Sequence, residues 1–153
     1  MNPPVSLEPY LFFGGRCEEA LALYREALGA EVEMLMHFRQ SPQQMPPGML
    51  PVGFEDKVMH AMVRIGSSRF LASDGCEVGG KFGGFSLSVS LPDEEAVRKA
   101  FDALAMGGSV QMPLAPTFWA PLYGAVIDRF GVSWMLSLAA APAVAGVPDS
   151  VHD

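Results

Sequence analysis

The feature that most constrains the fold of this 153-residue chain is a weak internal repeat. When the sequence is aligned with itself at an offset of 76 residues, six positions between residues 7 and 30 are identical: Leu11, Glu18, Glu19, Ala20, Ala27 and Leu28 against Leu87, Glu94, Glu95, Ala96, Ala103 and Leu104. Farther along, at an offset of 64, Phe70 matches Trp134 and Ser73 matches Ser137. An insertion in the proline-rich segment of the first copy explains the shorter offset. A repeat of this length predicts two copies of one structural unit.

Both copies contain the same order of hydrophobic patterns. The segment 85–91 alternates large apolar residues with serines, and this period of two predicts a strand. Helical spacing of apolar residues, ended by glycine, predicts one helix in each copy, at 16–28 and 93–106. The other apolar runs predict strands at 7–13, 32–38, 58–65, 69–73, 109–114, 123–128 and 133–138. The sequence therefore predicts an α+β fold of two tandem β-α-β-β-β units.

The repeat also predicts the domain boundaries. We expect a single domain over residues 1–138, with unit one at about 7–74 and unit two at about 84–138. A chain of this length buries a core without the help of disulfide bonds. Residues 139–153 are rich in alanine, proline and valine without a regular period, so we expect them to form a poorly ordered tail.

Charge and composition exclude several classes of partner. The formal net charge is −7, the isoelectric point is near 4.8, and lysine and arginine form no cluster. These properties argue against nucleic acid and against an anionic membrane surface as partners. No apolar stretch is long enough to cross a membrane, and the N-terminal residues lack the pattern of a secretory signal. We therefore expect a cytoplasmic protein.

The two cysteines, Cys17 and Cys76, have no spacing typical of a metal or redox motif. We interpret both as free thiols in a reducing compartment.

Several segments resemble the vicinal-oxygen-chelate superfamily of glyoxalases, extradiol dioxygenases and bleomycin-resistance proteins. In unit one they are 9–13, 19–24, 27–30, 59–61 and 73–74; in unit two the resemblance lies in 123–134. The most specific piece is Gly-x-x-x-Asp-x-Phe-Gly-x-x-Trp at 124–134. Together they are similar to the PhnB-like branch, often labelled 3-demethylubiquinone methyltransferase-like. The sequence shows no glycine-rich strand-to-helix loop of the kind that an adenosyl cofactor uses, so it does not support the methyltransferase label.

The resemblance implies an architecture and an assembly. Family members curl each unit into a curved mixed sheet, with the helix on the convex side and a cleft on the concave side. The alternation would then direct Leu11, Phe13, Leu87, Val89 and Leu91 to the helices, and Tyr10, Phe12, Ser86, Ser88 and Ser90 to the cleft. Members with two units in one chain commonly form homodimers that complete clefts and sheet edges, so we expect a homodimer.

Metal-dependent members carry a histidine near the start of each unit's first strand and a carboxylate on its last strand. Here the first strands start with Glu8, Pro9 and Tyr10 and with Gly84, Phe85 and Ser86, and only Asp74 supplies a carboxylate at the end of a last strand. We therefore expect no cofactor and no standard metal site. The alternative is a divalent metal held by Glu8, His60 and Asp74. Asp74 before Gly75 also fits a turn residue, and His60 fits a polar residue at the end of a strand.

The candidate ligand-binding residues are Tyr10, His60, Trp119 and Tyr123. Trp119 and Tyr123 flank Ala120-Pro121, where the resemblance places a loop over the cleft. The aromatic rings would supply flat apolar contact, and His60 would orient the ligand by a hydrogen bond. Trp134 and Phe70 occupy equivalent positions of the repeat, which favours a role in the core. A methionine-rich lining would make the pocket adaptable.

These features favour a small-molecule-binding protein, similar to the drug-sequestering members of the superfamily, that takes an aromatic or amphipathic compound. One alternative is a metal-dependent lyase, isomerase or dioxygenase with a rebuilt metal site. Another is a structural module whose cleft is filled by its own side chains. The sequence leaves catalysis open.

Overall fold

Each copy of the repeat forms four strands and one α-helix in the computed structural model, which describes residues 3–139. Unit one contains β1 (Tyr10–Phe12), α1 (Cys17–Leu28), β2 (Glu31–His37), β3 (Val58–Ile65) and β4 (Ser68–Ser73). Unit two contains β5 (Leu87–Leu91), α2 (Glu94–Ala105), β6 (Ser109–Ala115), β7 (Tyr123–Ile127) and β8 (Ser133–Leu138). The predicted α+β fold with two β-α-β-β-β units is confirmed. The predicted tail lies outside the described residues, apart from Ala139.

The two sheets have the same topology. Their strand orders are β1-β4-β3-β2 and β5-β8-β7-β6. The first strand of each unit runs parallel to the last, and the other pairs are antiparallel. A parallel pair needs a crossover, which the helix of each unit supplies. β1 is shorter than the predicted 7–13, since only three of its residues have partners in β4.

Capping residues set one end of each helix. α2 starts after Asp93, whose side chain accepts a hydrogen bond of 2.8 Å from the Ala96 backbone N–H. α1 ends at Gly29, which takes the left-handed conformation with φ of 67° that a side chain would oppose. Within the described chain, no helix is both long and apolar enough to cross a membrane.

The structure corrects the register of the repeat. Buried Ala20, Leu23, Tyr24 and Ala27 of α1 correspond to buried Val97, Ala100, Phe101 and Leu104 of α2, an offset of 77 residues. Leu11 pairs with Ala72 in unit one, and Val89 pairs with Leu136 in the same place of unit two, an offset of 78. The identities at 76 therefore found the right elements in a register that is wrong by one or two residues. The offset of 64 between β4 and β8 is confirmed by the same pairs.

One shared core joins the two units. Tyr24 on α1 contacts Phe70 of the first sheet and Trp134 of the second, with ring centroids 6.3 and 5.1 Å apart. Its hydroxyl donates a 2.6 Å hydrogen bond to Asp128 in the turn between β7 and β8. Phe70 and Trp134 are buried, as their repeat positions predicted. Both sheets turn their helix-facing sides to this core, so the other face of each sheet points away from it.

Candidate ligand-binding faces

We call the side of each sheet that points away from the helices its open face. In unit one it is formed mainly by Tyr10, Phe12, Met34, Met36, His60 and Met62. In unit two it is formed mainly by Ser88, Ser90, Tyr123, Ser133, Met135 and Ser137. The predicted alternation is visible at β1, where Leu11 is 1% exposed while Tyr10 and Phe12 are 41% and 50% exposed. A strand sends successive side chains to opposite faces, which produces this pattern.

Tyr10 and His60 form a hydrogen-bonded pair on the open face of unit one. The Tyr10 hydroxyl lies 2.7 Å from Nδ1 of His60. The Tyr10 ring also stacks on Phe12, with centroids 4.8 Å apart and planes 9° from parallel. Partial burial is the main cause of the raised pKa of Tyr10, so its hydroxyl keeps its proton at neutral pH. The pair offers a flat apolar surface with a polar group at its edge.

A row of apolar side chains crosses the same face from β2 to β1. Successive partners in this row are Met34, Met62, Leu71 and Tyr10. Met36 lies opposite His60 in the neighbouring row. Large, partly exposed apolar side chains such as these provide the contact area that small-molecule sites use.

A charged row borders this apolar surface. Arg64 and Arg69 each donate from Nε to a carboxylate oxygen of Glu33, at 3.2 Å in both cases. Arg69 also lies 3.6 Å from Glu8, and Arg64 pairs with Glu31. Three carboxylates around two guanidinium groups leave no excess positive charge, so this row is not a ready site for an anion.

The open face of unit two is built from small polar groups. Ser86 and Ser133 are 2.6 Å apart, and Ser90 and Ser137 are 3.3 Å apart, each pair through its hydroxyl oxygens. Met135 lies between the two pairs on β8. The strand alternation thus directs serines outward here, as predicted, where unit one presents aromatic rings and thioethers.

Two aromatic rings of the loop between β6 and β7, Phe118 and Trp119, form a contact series with Tyr123 at the start of β7. Trp119 lies 5.3 Å from Tyr123 and 4.7 Å from Phe118, measured between ring centroids. The Thr117 hydroxyl accepts a hydrogen bond of 3.1 Å from the Ala120 backbone N–H, which holds the tip of the loop. Phe118 is 97% exposed and Trp119 is 54% exposed. Phe118 is not among the ligand-binding residues predicted from the sequence, because an apolar residue next to a strand fits the pattern of the hydrophobic core equally well.

The structure brings the four candidate residues together as two pairs. Tyr10 contacts His60 in unit one, and Trp119 contacts Tyr123 in unit two. Each pair lies on the side of its own sheet that is turned away from the shared core. A groove of about 1050 Å³ lies elsewhere, between the 6–9 segment and the edge of β5 that faces away from β8, and none of the four residues lines it.

Asp74 is a buried carboxylate, only 1% exposed, whose oxygens are occupied by backbone donors. Oδ1 accepts hydrogen bonds from the N–H groups of Gly15 and Cys17, and Oδ2 accepts one from Val58, each at 2.8 Å. Asp74 thus ties β4 to the start of α1 and of β3, a long-range role that neither the turn nor the metal interpretation predicted. Within residues 3–139, no three His, Cys, Asp or Glu side chains are grouped closely enough to hold a metal ion.

The same carboxylate occupies the N-terminus of α1. Gly14 and Gly15 do link β1 to the helix, but the helix-start donors of Gly15 and Cys17 already bind Asp74. A side chain on Gly14 would also collide with the backbone of Gly79 and Gly80. The loop is therefore packed against its own chain. Burial, with help from Asp74 and Glu18, raises the pKa of the Cys17 thiol far above its usual range, which makes it unreactive.

The comparison with protein families agrees with this architecture. The model of a family described as 3-demethylubiquinone-9 3-methyltransferase matches residues 6–137. The chain belongs to this family. It is the PhnB-like branch of the vicinal-oxygen-chelate superfamily, as the sequence motifs predicted.

Three relatives show how far the similarity of this PhnB-like protein extends. It is 38% identical to protein YjdN of Escherichia coli (strain K12) over 141 residues, covering 86% of this chain and 94% of YjdN. Protein PA1353 from Pseudomonas aeruginosa is 39% identical, with a TM-score of 0.76 and coverage of 88% and 98%. A PhnB protein from Bacillus cereus is 28% identical, with a TM-score of 0.71 and coverage of 88% and 100%. The matched region spans nearly the whole of each relative.

Proposed function

We propose that this PhnB-like protein binds a small aromatic or amphipathic molecule without the standard metal ion of the superfamily, and that a second copy of the chain completes the site. The observation that carries this proposal is the exposed Tyr10–Phe12 stack joined to His60. Rigid strands hold these rings in place, so little conformational freedom is lost when a flat ligand stacks on them. His60 supplies the hydrogen bond that orients the ligand.

The arrangement of the two open faces supports a homodimer. If the open face of unit one packs over the open face of unit two from the partner, Tyr10 and His60 meet Trp119 and Tyr123 across one cleft. The faces are complementary in size, since aromatic rings and thioethers in unit one would oppose serines in unit two. Packing of this kind would also cover Phe12 and Trp119, which are about half exposed in the single chain.

The contacts of Asp74 favour binding over metal-dependent catalysis. A metal site built from Glu8, His60 and Asp74 would require the Asp74 carboxylate to give up three backbone hydrogen bonds in a buried position. Glu8 would have to leave Arg69 as well. A methyltransferase activity, which the family description names, also lacks support, because Asp74 occupies the helix-start donors that follow β1. The metal-dependent lyase, isomerase or dioxygenase therefore ranks second.

The test is quenching of tryptophan fluorescence by a planar aromatic compound such as acridine. In wild-type protein we expect saturable quenching from Trp119. Trp119→Ala should weaken binding by about 1–3 kcal/mol, the scale of one buried aromatic contact, measured by equilibrium dialysis. Glu8→Ala is the matched control and should change the affinity by no more than a few fold. Unsaturable quenching, or equal affinities for wild type and Trp119→Ala, would contradict the proposed site.

A further inference from the structure

The β2–β3 pair of unit one places three methionines and one histidine on the open face. Met34 lies directly opposite Met62, and Met36 lies directly opposite His60. Opposite residues in such a pair have Cβ atoms roughly 5 Å apart. Residues two apart on one strand are separated by about 7 Å. Four side chains therefore surround a small patch, and the flexible methionine side chains are long enough to converge over it.

These four side chains form a set of metal ligands that prefers a soft ion. Thioether sulfur is a soft ligand that selects Cu(I), and imidazole also suits copper. Hard cations such as Mg²⁺ prefer carboxylates, but the nearby Glu31 and Glu33 are engaged with Arg64 and Arg69. The patch thus favours a soft monovalent ion over the divalent ions considered above.

The hydrogen bond to Tyr10 prepares His60 for this role. When Nδ1–H donates to the Tyr10 oxygen, at 2.7 Å, the Nε2 atom presents its lone pair. Among the described residues, none makes a hydrogen bond to Nε2. Ligating histidines commonly have their other ring nitrogen held in this way, which fixes the tautomer and the ring orientation.

Unit two provides an internal comparison. Strand pairing places Met112 and Ala125 where unit one has Met34 and Met62, and Ala115 and Tyr123 where it has Met36 and His60. Only one thioether of the set is present there. The donor set is therefore a property of unit one and does not follow from the fold that both units share.

We propose that the open face of unit one binds one soft monovalent metal ion, Cu(I), through three thioethers and one imidazole nitrogen. The ligands are Met34, Met36, Met62 and Nε2 of His60. All four ligands come from one unit of one chain, so the site needs no residue of the partner or of the Trp119 loop, but it shares His60 and the open face with the proposed ligand site.

The test uses the full-length chain carrying Cys76→Ser, which removes the half-buried thiol that would compete for copper. Cu(I) is titrated without oxygen against the coloured chelator bathocuproine disulfonate. We expect each chain to retain one Cu(I) in this competition. Met34→Leu combined with Met62→Leu keeps the side-chain volume, and should lower the affinity by at least about tenfold, a scale typical of damage to a metal site.

Met112→Leu is the matched control in unit two and should leave the affinity unchanged. X-ray absorption of the loaded protein should show Cu–S scattering that falls in the double variant, while the urea unfolding midpoint of the copper-free protein stays near that of the parent. Loss of copper binding with Cys76→Ser alone, or equal affinities for parent and double variant, would overturn the metal site. Acridine binding by the double variant reports separately on the proposed ligand site.

Discussion

The two units share one backbone plan and differ in what their open faces present. Tyr10, Leu71 and Met62 form a continuous row in unit one, and the same row in unit two is Ser88, Met135 and Ala125. The helix-facing residues beside these rows are apolar in both units. The difference teaches that the shared core constrains only one side of each strand, which leaves the other side free to carry different chemistry.

The buried carboxylates show the same division of roles. Asp74 binds only backbone donors of its own unit. Asp128 accepts from Tyr24 of unit one as well as from Trp134 and two backbone N–H groups of unit two. One carboxylate fixes the start of a helix, and the other fixes how the two units pack.

The largest expected effect comes from removing these carboxylates. Asp74→Asn and Asp128→Asn should each lower the free energy of unfolding by about 3–5 kcal/mol, because an amide NH₂ would face buried donors that then lack an acceptor. The measurement is urea unfolding followed by circular dichroism. Asp102→Asn, on the exposed side of α2, is the control and should change stability little. A loss below about 1 kcal/mol at Asp74 would show that its three hydrogen bonds matter less than their burial implies.

A smaller effect is expected from a bulky substitution on the open face of unit two. Ser88→Trp adds a large ring to the exposed β5 part of the unit-two open face, so the unit-one open face of the partner would no longer fit. Overpacking costs about 1–3 kcal/mol, and we expect the dimer dissociation constant to rise about tenfold or more in sedimentation velocity. Ser88→Ala should leave it unchanged. A wild-type mass near 16.4 kDa at micromolar concentration would contradict the dimer itself.

The smallest effect concerns the Cys17 thiol. Its raised pKa means that the folded chain keeps a proton that the unfolded chain releases above about pH 8.5. The stabilisation is complete below that pH and falls as the pH rises, by roughly 1 kcal/mol per unit. Urea midpoints at pH 7 and pH 10 should differ less in Cys17→Ala than in wild type. Equal pH dependence in the two proteins would show that Cys17 ionises as readily in the folded state.

The sequence predicted the order of elements because helices and strands have different hydrophobic periods, and these survive without residue identity. It placed β3 at 58–65 and β8 at 133–138, as the structure has them. It aligned α1 with α2 one residue out of register, because chance identities such as Ala20 with Ala96 outweighed the burial pattern. For the candidate site, the alternation at β1 and β5 assigned Tyr10 and Ser88 to the open faces. The motif at 124–134 gave the family.

What the sequence by itself determined is the pair of units, their helix-facing residues and the family, since these depend on local periodicity and short motifs. The tertiary structure decided which distant residues meet. The Tyr10–His60 bond, the charged row on unit one and the contacts of Asp74 all join residues at least 16 positions apart. The packing of Tyr24 between the two sheets decided that their helix-facing sides share one core. Pairing across such distances depends on strand register and on the shared core, which no local pattern encodes.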